Sequence, residues 1–317
     1  MNIILLLVGL GLIVLGADWL VDGASAIARR AGVSEFVIGL TIVGFGTSCP
    51  ELVVSLTGAI QGNADIAIGN VIGSNIFNAF FILGLTALIM PVSMTNANRK
   101  RDIPIVLFVS LLLICCGMSS TLFGIGGADS ISRIEGAFFL LIFSGYLWYC
   151  FKFDSKEPAE NGEQKQMKLP LAILAVAAGL AGLIFGGELF VDSATALARS
   201  IGVSDKFIAI TVLAGGTSFP ELATCIVATA KHKDQLALGN ILGSNVFNIL
   251  LILGCSSIIT PLSFAGMNLV DAAALILSCI MLMLWAYTGR KCRIDRWEGA
   301  LMLLVFAFYY YYLFTKL

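Results

Sequence analysis

The chain has 317 residues, 58% hydrophobic and 12% charged, with a formal net charge of −1 at pH 7. That balance excludes a water-exposed globular surface, which needs roughly a quarter to a third of its residues charged. It also excludes a nucleic-acid partner, which needs a concentrated basic face.

Apolar runs recur along the whole chain and leave no room for a separate soluble domain. A spanning helix needs about 20 mainly apolar residues, and ten segments qualify: 3–27, 36–61, 66–92, 103–121, 133–152, 170–197, 206–231, 236–262, 270–288 and 296–315. The first has no basic region before it and no small-residue cleavage pattern, so it is expected as a transmembrane helix and not a cleaved leader. It carries Asp18 and Asp22 late on one helical face, and the sixth span echoes them with Glu188 and Asp192. These acids read as partners for polar groups near the membrane surface, with an ion vestibule as the other reading. The polar stretch 153–169, rich in charge, Gly and Pro, reads as a cytoplasmic linker. Trp148, Tyr149, Trp297 and the tyrosines 309–312 read as interfacial aromatic belts. The eight cysteines have no metal-type CxxC spacing and read as small buried hydrophobes. His232, the only histidine, lies in a KHK loop.

Ten spans put both termini on one side. Fifteen of the nineteen Lys and Arg then fall on the opposite face, against Arg133, Arg199, Lys206 and Lys316. By the positive-inside rule both termini are predicted outside the cytoplasm.

The chain repeats itself at one constant offset. TIVGFGTSCPEL at 41–52 matches TVLAGGTSFPEL at 211–222, and AIGNVIGSNIFN at 67–78 matches ALGNILGSNVFN at 237–248. Five spans per copy is odd, so the second copy is inverted in the membrane, a pattern that serves alternating access. The other reading is a duplication that only enlarges the bundle. The expected fold is an all-α integral membrane protein of ten transmembrane helices, two inverted-topology repeats of five, with 1–152 and 170–317 as the repeats.

In both copies a proline removes a backbone donor, and glycines loosen the turn before it. Carbonyls freed inside a bilayer are costly unless something binds them. Thr47 and Thr217 offer oxygens at the break, and Ser48 and Ser218 add hydroxyls. One residue past each proline stands a glutamate, Glu51 or Glu221, in an otherwise apolar span with no Lys or Arg at comparable depth. A bound cation is the simplest counter-charge, and two carboxylates match one divalent ion; hard oxygen ligands suit calcium better than a transition metal. The second motif supplies Asn70, Ser74, Asn75 and Asn78, matched by Asn240, Ser244, Asn245 and Asn248. Ser74 and Asn78 share a helix face, as do Ser244 and Asn248. They read as neutral ion ligands, while Asn75 and Asn245 read as interhelical hydrogen bonds. Gly69, Gly73, Gly239 and Gly243 read as close-packing positions.

Paired GTSxPE and GNxxGSNxFN segments, one pair in each half, resemble the alpha repeats of the sodium/calcium exchanger family, in the form of a minimal exchanger without a large regulatory loop. The resemblance implies ion sites between the second, third, seventh and eighth helices, with the first and sixth sliding across them. It implies that Glu51 and Glu221 ligate calcium with backbone oxygens at Thr47 and Thr217. It implies sodium ligands at Ser48, Ser74, Ser218 and Ser244 and backbone oxygens near Gly44 and Ala214. Some relatives carry aspartate at the position of Asn248, whereas both Asn78 and Asn248 are amides here, which leaves a pocket of charge −2 and weakens the case for potassium cotransport.

The function expected is sodium/calcium antiport in the plasma (inner) membrane, extruding calcium. Calcium/proton exchange is the alternative, since a buried glutamate can release its ion by taking a proton, and a cation channel is a further one. With no HExxH, GxSxG or Walker-type loop, no enzyme is expected. Nor is a cofactor or obligatory protein partner; the partners are Ca2+, Na+ or H+ and the lipid bilayer.

Overall fold

The computed structural model describes residues 2–124, 128–153, 167–201, 214–288 and 292–316. In chain order these form α1 (Asn2–Ala31), α2 (Glu35–Ile38), a π-helical turn (Gly39–Val43), α3 (Gly44–Thr47) and α4 (Cys49–Ile60). Next, α5 (Ala64–Ile76) runs through a π-helix (Phe77–Ile82) into α6 (Leu83–Ile89). Then come β1 (Val92–Ser93), a π-helix (Asn98–Asp102), α7 (Ile103–Gly117), α8 (Ser119–Phe123), β2 (Ser130–Ile131) and α9 (Arg133–Lys152). The rest comprises α10 (Leu169–Ser200), α11 (Ala214–Gly216), α12 (Phe219–Ala230) and α13 (Asp234–Val246), which continues through a π-helix (Phe247–Leu253) into α14 (Gly254–Ile259). Last are β3 (Leu262–Ser263), α15 (Leu269–Thr288), β4 (Arg293–Ile294) and α16 (Arg296–Lys316).

Seven helical stretches among the described residues are long and apolar enough to cross a bilayer, and an eighth qualifies if Glu35–Thr47 and Cys49–Ile60, bent by 51° at their junction, count as one span. The two remaining predicted spans differ. Span 103–121 appears as the fifteen-residue α7, and span 206–231 begins outside the described residues and continues as α11 and α12. Most of the predicted linker, 154–166, also lies outside them. Large apolar side chains stand on the outer surface, among them Ile4, Leu141, Phe185 and Phe308 at 65–68% exposure. Only a lipid surround makes such a surface favourable. The chain is a multi-pass membrane protein.

Two compact units emerge, each drawing on both halves of the sequence. One comprises Met1–Pro50 with Phe151–Gly243, the other Glu51–Cys150 with Ser244–Leu317.

The first unit is organised by α1 and α10, antiparallel along a seam of small residues in which Gly9, Gly16 and Gly23 meet Gly186, Gly179 and Ala172 in turn. A Cβ on Gly16 would stand 2.8 Å from the Gly179 carbonyl oxygen, so the backbones touch directly. Lipid tails are as apolar as leucine, and this close van der Waals fit is what holds two helices together in a bilayer. In the same unit Gly239 and Gly243 pack on the backbone of Phe36 and Leu40, as predicted; around Gly69 and Gly73 no described atom makes such a contact.

The second unit is tied at its ends by contacts that come in twins, with the halves exchanged. β1 pairs antiparallel with β4, and β2 with β3. Arg296 donates to the Ile89 carbonyl, and Arg133 to those of Ile258 and Ile259. Gly299 packs on Gly84, and Gly136 on Gly254. Even the helix starts match: the Ser132 amide donates to Glu135 at 2.7 Å and the Asp295 amide to Glu298 at 2.8 Å, the carboxylate half of a capping box.

Candidate ion-binding residues

The first motif gives local breaks in both copies. Ser48, between α3 and α4, departs from helical backbone angles with φ −85° and ψ 7°, and Ser218, before α12, does the same with φ −94° and ψ 6°. Pro50 and Pro220 sit at the starts of the following helices, where a missing N–H costs least. The next residue in each is the glutamate.

Within the first unit the two copies converge. The Ser48 hydroxyl donates to Oε1 of Glu221 at 3.0 Å, and the Thr47 hydroxyl donates to Oδ1 of Asn240 at 3.1 Å. Asn240 in turn donates to the Glu221 backbone carbonyl at 3.4 Å and to the Cys225 thiol at 3.3 Å. Thr47, Ser48, Ser218, Glu221 and Asn240 are all at most 3% exposed. The Gly44 carbonyl accepts from the Ser48 amide at 3.1 Å and from the Thr47 hydroxyl. Thr217 is half-buried, and Ala214 opens α11.

The second unit holds Glu51, Ser74, Asn78, Ser244 and Asn248, again at most 3% exposed. Asn70 donates to the Glu51 backbone carbonyl at 3.1 Å and to the Ser55 hydroxyl at 3.0 Å, the twin of the Asn240 arrangement. Asn78 donates to Asn245 at 3.2 Å, Asn248 to Asn75 at 2.9 Å, and Asn75 to the Asn245 carbonyl at 3.1 Å. The interhelical reading of Asn75 and Asn245 therefore holds. A π-helix begins within each copy of this motif, at the equivalent positions Phe77 and Phe247. A π-bulge inside an α-helix often marks a functional site.

Two features lay outside the predicted ligand set. Asn70 and Asn240 belong to the second motif, yet they bind the backbone of the first-motif glutamates; their shared place before the GSN triplet was the available signal. Ser55, one turn after Glu51, had none beyond its spacing.

Four acids are buried among the described residues: Glu51, Asp102, Glu221 and Glu298. Asp102 is bound by Arg101 at 2.6 Å, and Glu298 caps α16. The acids late in α1 are paired as well: Lys231, just beyond α12, reaches Asp18 at 2.7 Å and Asp22 at 2.6 Å. That answers the question left by the sequence for Asp18 and Asp22. Glu188 and Asp192 are exposed, and the position matching Lys231 is Gln61.

A helical multi-pass protein with buried glutamates at two proline-started helices, each with an asparagine amide donating to its backbone carbonyl, has the makings of an ion transporter. The chain belongs to the sodium/calcium exchanger family: the family model described as "Sodium/calcium exchanger protein" matches residues 1–152 and 171–315. It is 34% identical to the sodium/calcium exchanger MaX1 of Methanosarcina acetivorans, covering 96% of each chain. It is 36% identical to the inner membrane protein YrbG of Escherichia coli over 81% of this chain and 79% of that one. Among solved structures it is similar to the sodium-calcium exchanger NCX_Mj soaked with 2.5 mM Na+ and 0.1 mM Ca2+, with a TM-score of 0.82 at 33% identity over 100% of this chain and 98% of that one.

Proposed function

We propose that the protein is a secondary active antiporter that exchanges sodium for calcium by alternating access, letting sodium in down its gradient and calcium out. In this reading ten transmembrane helices form two inverted repeats, 1–152 and 170–317, joined by a cytoplasmic linker at 153–169, with both termini outside the plasma (inner) membrane. Glu51 and Glu221 supply carboxylates to calcium, with backbone oxygens at Thr47 and Thr217. Ser48, Ser74, Ser218, Ser244, the Gly44 and Ala214 carbonyls, and the amides Asn78 and Asn248 supply neutral oxygens to sodium.

The observation that carries the reading is the Ser48–Glu221 hydrogen bond. It joins the serine of one motif copy to the glutamate of the other, in a buried place where a carboxylate is costly without compensation. Oxygen ligands with no sulfur or imidazole fit a hard cation. Family membership and a family model matched in two stretches support the repeat and the exchange. The twinned contacts of the second unit support it too.

The test is calcium uptake into proteoliposomes. An outward sodium gradient should drive it, and a pH gradient without sodium should not. Uptake driven by protons alone would replace sodium with protons as the coupling ion, and gradient-independent conductance would sink antiport altogether.

A further inference from the structure

Four asparagines of the second motif, Asn75, Asn78, Asn245 and Asn248, are joined by hydrogen bonds, and in the Asn75–Asn248 pair the direction is fixed by one backbone carbonyl. The Asn245 carbonyl oxygen can only accept, so the Asn75 atom 3.1 Å from it is the amide nitrogen. Asn75 therefore turns Oδ1 to its other neighbour, Asn248, at 2.9 Å, and there it can only accept. The Asn248 amide nitrogen is the donor, which leaves the Asn248 carbonyl oxygen at the opposite end. On the related side Asn78 spends its nitrogen on Oδ1 of Asn245 at 3.2 Å. The Oδ1 atoms of Asn78 and Asn248 are both buried and accept no hydrogen bond from any described residue, and each asparagine is 1% exposed. Buried carbonyl oxygens of this kind are rare and call for a ligand.

We propose that Asn75 and Asn245 are positioning residues that hold the amides of Asn248 and Asn78 so that each presents its carbonyl oxygen, and not its NH2 group, to the transported cation. The inference rests on the reading of Asn78 and Asn248 as ion ligands. An asparagine amide is an attractive ligand in one orientation and a repulsive one in the other. Rotated by half a turn, it aims two N–H dipoles at the cation. Asn75 of the first motif copy orients Asn248 of the second, and Asn245 of the second orients Asn78 of the first, so both ligands are set by the same exchange of halves. Outer residues that orient a metal ligand are typically worth about 10- to 100-fold in affinity.

The experiment is a pair of double-mutant cycles on the full chain in proteoliposomes, read as half-saturating calcium concentration and as maximal rate per folded protein. Asn75→Leu and Asn245→Leu are expected to raise the half-saturating concentration by about tenfold with little change in maximal rate. An aspartate has an oxygen at both ends of its head group, so orientation no longer matters for it. In an Asn248→Asp background, adding Asn75→Leu should therefore change the affinity little, whereas in an Asn78→Asp background it should still cost its full effect. Asn245→Leu should show the reverse pattern. Unchanged affinity in both leucine variants, or a loss that neither aspartate suppresses, or one that both suppress equally, overturns the proposal. Where leucine variants do not fold, Asn75→Ser and Asn245→Ser, too short to reach their partners, carry the same expectations. Normal affinity in Asn78→Leu and Asn248→Leu would instead overturn the ligand assignment beneath it.

Discussion

The two units are held together in different ways. In the first, α1 and α10 meet along a seam of glycines whose backbones touch. A polar tie to their flank is Lys231, which reaches Asp18 and Asp22 from beyond α12. In the second, strand pairs, arginine-to-carbonyl bonds, glycine contacts and helix caps recur as twins that link the halves at both ends. A smooth seam resists separation but offers little directional bonding to oppose sliding. Reciprocal end ties oppose both. The first unit is built around a helix pair that holds together as a body, and the second is built as a frame.

Both units carry a motif glutamate, and the largest effects are expected there. Glu221→Gln and Glu51→Gln should each reduce sodium-driven calcium uptake to background while leaving the melting temperature in detergent close to that of the parent. Normal uptake by either would remove that glutamate from the ligand set.

The seam comes next. Gly16→Ala places a methyl group 2.8 Å from the Gly179 oxygen and the Leu183 nitrogen, an overpacking that should cost about 1–3 kcal/mol in thermal unfolding. Gly11, on the same helix, has no described atom within 4 Å of such a methyl. Gly11→Ala should be neutral or stabilising by up to about 1 kcal/mol, because alanine is the better helix former. Equal destabilisation by the two would mean that the seam is not what holds α1 to α10.

In the second unit Ser132→Ala removes the hydroxyl that accepts from the Glu135 amide at 3.3 Å and donates to its carboxylate at 2.7 Å. Loss of this cap should cost about 1 kcal/mol, read as a lowered melting temperature with unchanged calcium affinity.

The smallest effect is expected at Lys231. Its partial burial alone would lower its pKa, but hydrogen bonds and attraction from Asp18 and Asp22 outweigh this and hold it above the ordinary 10.5. A raised lysine pKa stabilises the fold fully below the unfolded value and loses that contribution as pH rises through the folded one. The melting temperature of the parent should therefore fall more steeply above pH 10.5 than that of Lys231→Met. At neutral pH the substitution should cost under about 1 kcal/mol, since the pair is open to solvent.

Much of the candidate site was legible because chemistry forced its residues into view. A glutamate after a proline, deep in an apolar span, is conspicuous at Glu51, and its recurrence at the matching place in the second copy, Glu221, removes coincidence. The breaks at Ser48 and Ser218 followed from the same prolines. The pairing of Thr47 with Asn240 and of Ser48 with Glu221 was not legible, because nothing in a local pattern says which distant partner a hydroxyl meets. The π-helices were also hidden: FNAFFI and FNILLIL read like any apolar helix, and the wider turn shows only in the backbone.

The sequence by itself determined that the protein lives in a bilayer, that it is built twice over, and that each copy carries a glutamate next to a proline in an apolar span, since composition, periodicity and repetition are properties of the chain. Only the tertiary structure decided which lysine answers Asp18 and Asp22, which helices share a glycine seam, and which way the amides of Asn78 and Asn248 face. The reason is physical. An asparagine side chain offers a donor and an acceptor of nearly the same shape, and the choice between them belongs to the partner it meets in space, as the Asn245 carbonyl sets Asn75 and Asn75 in turn sets Asn248.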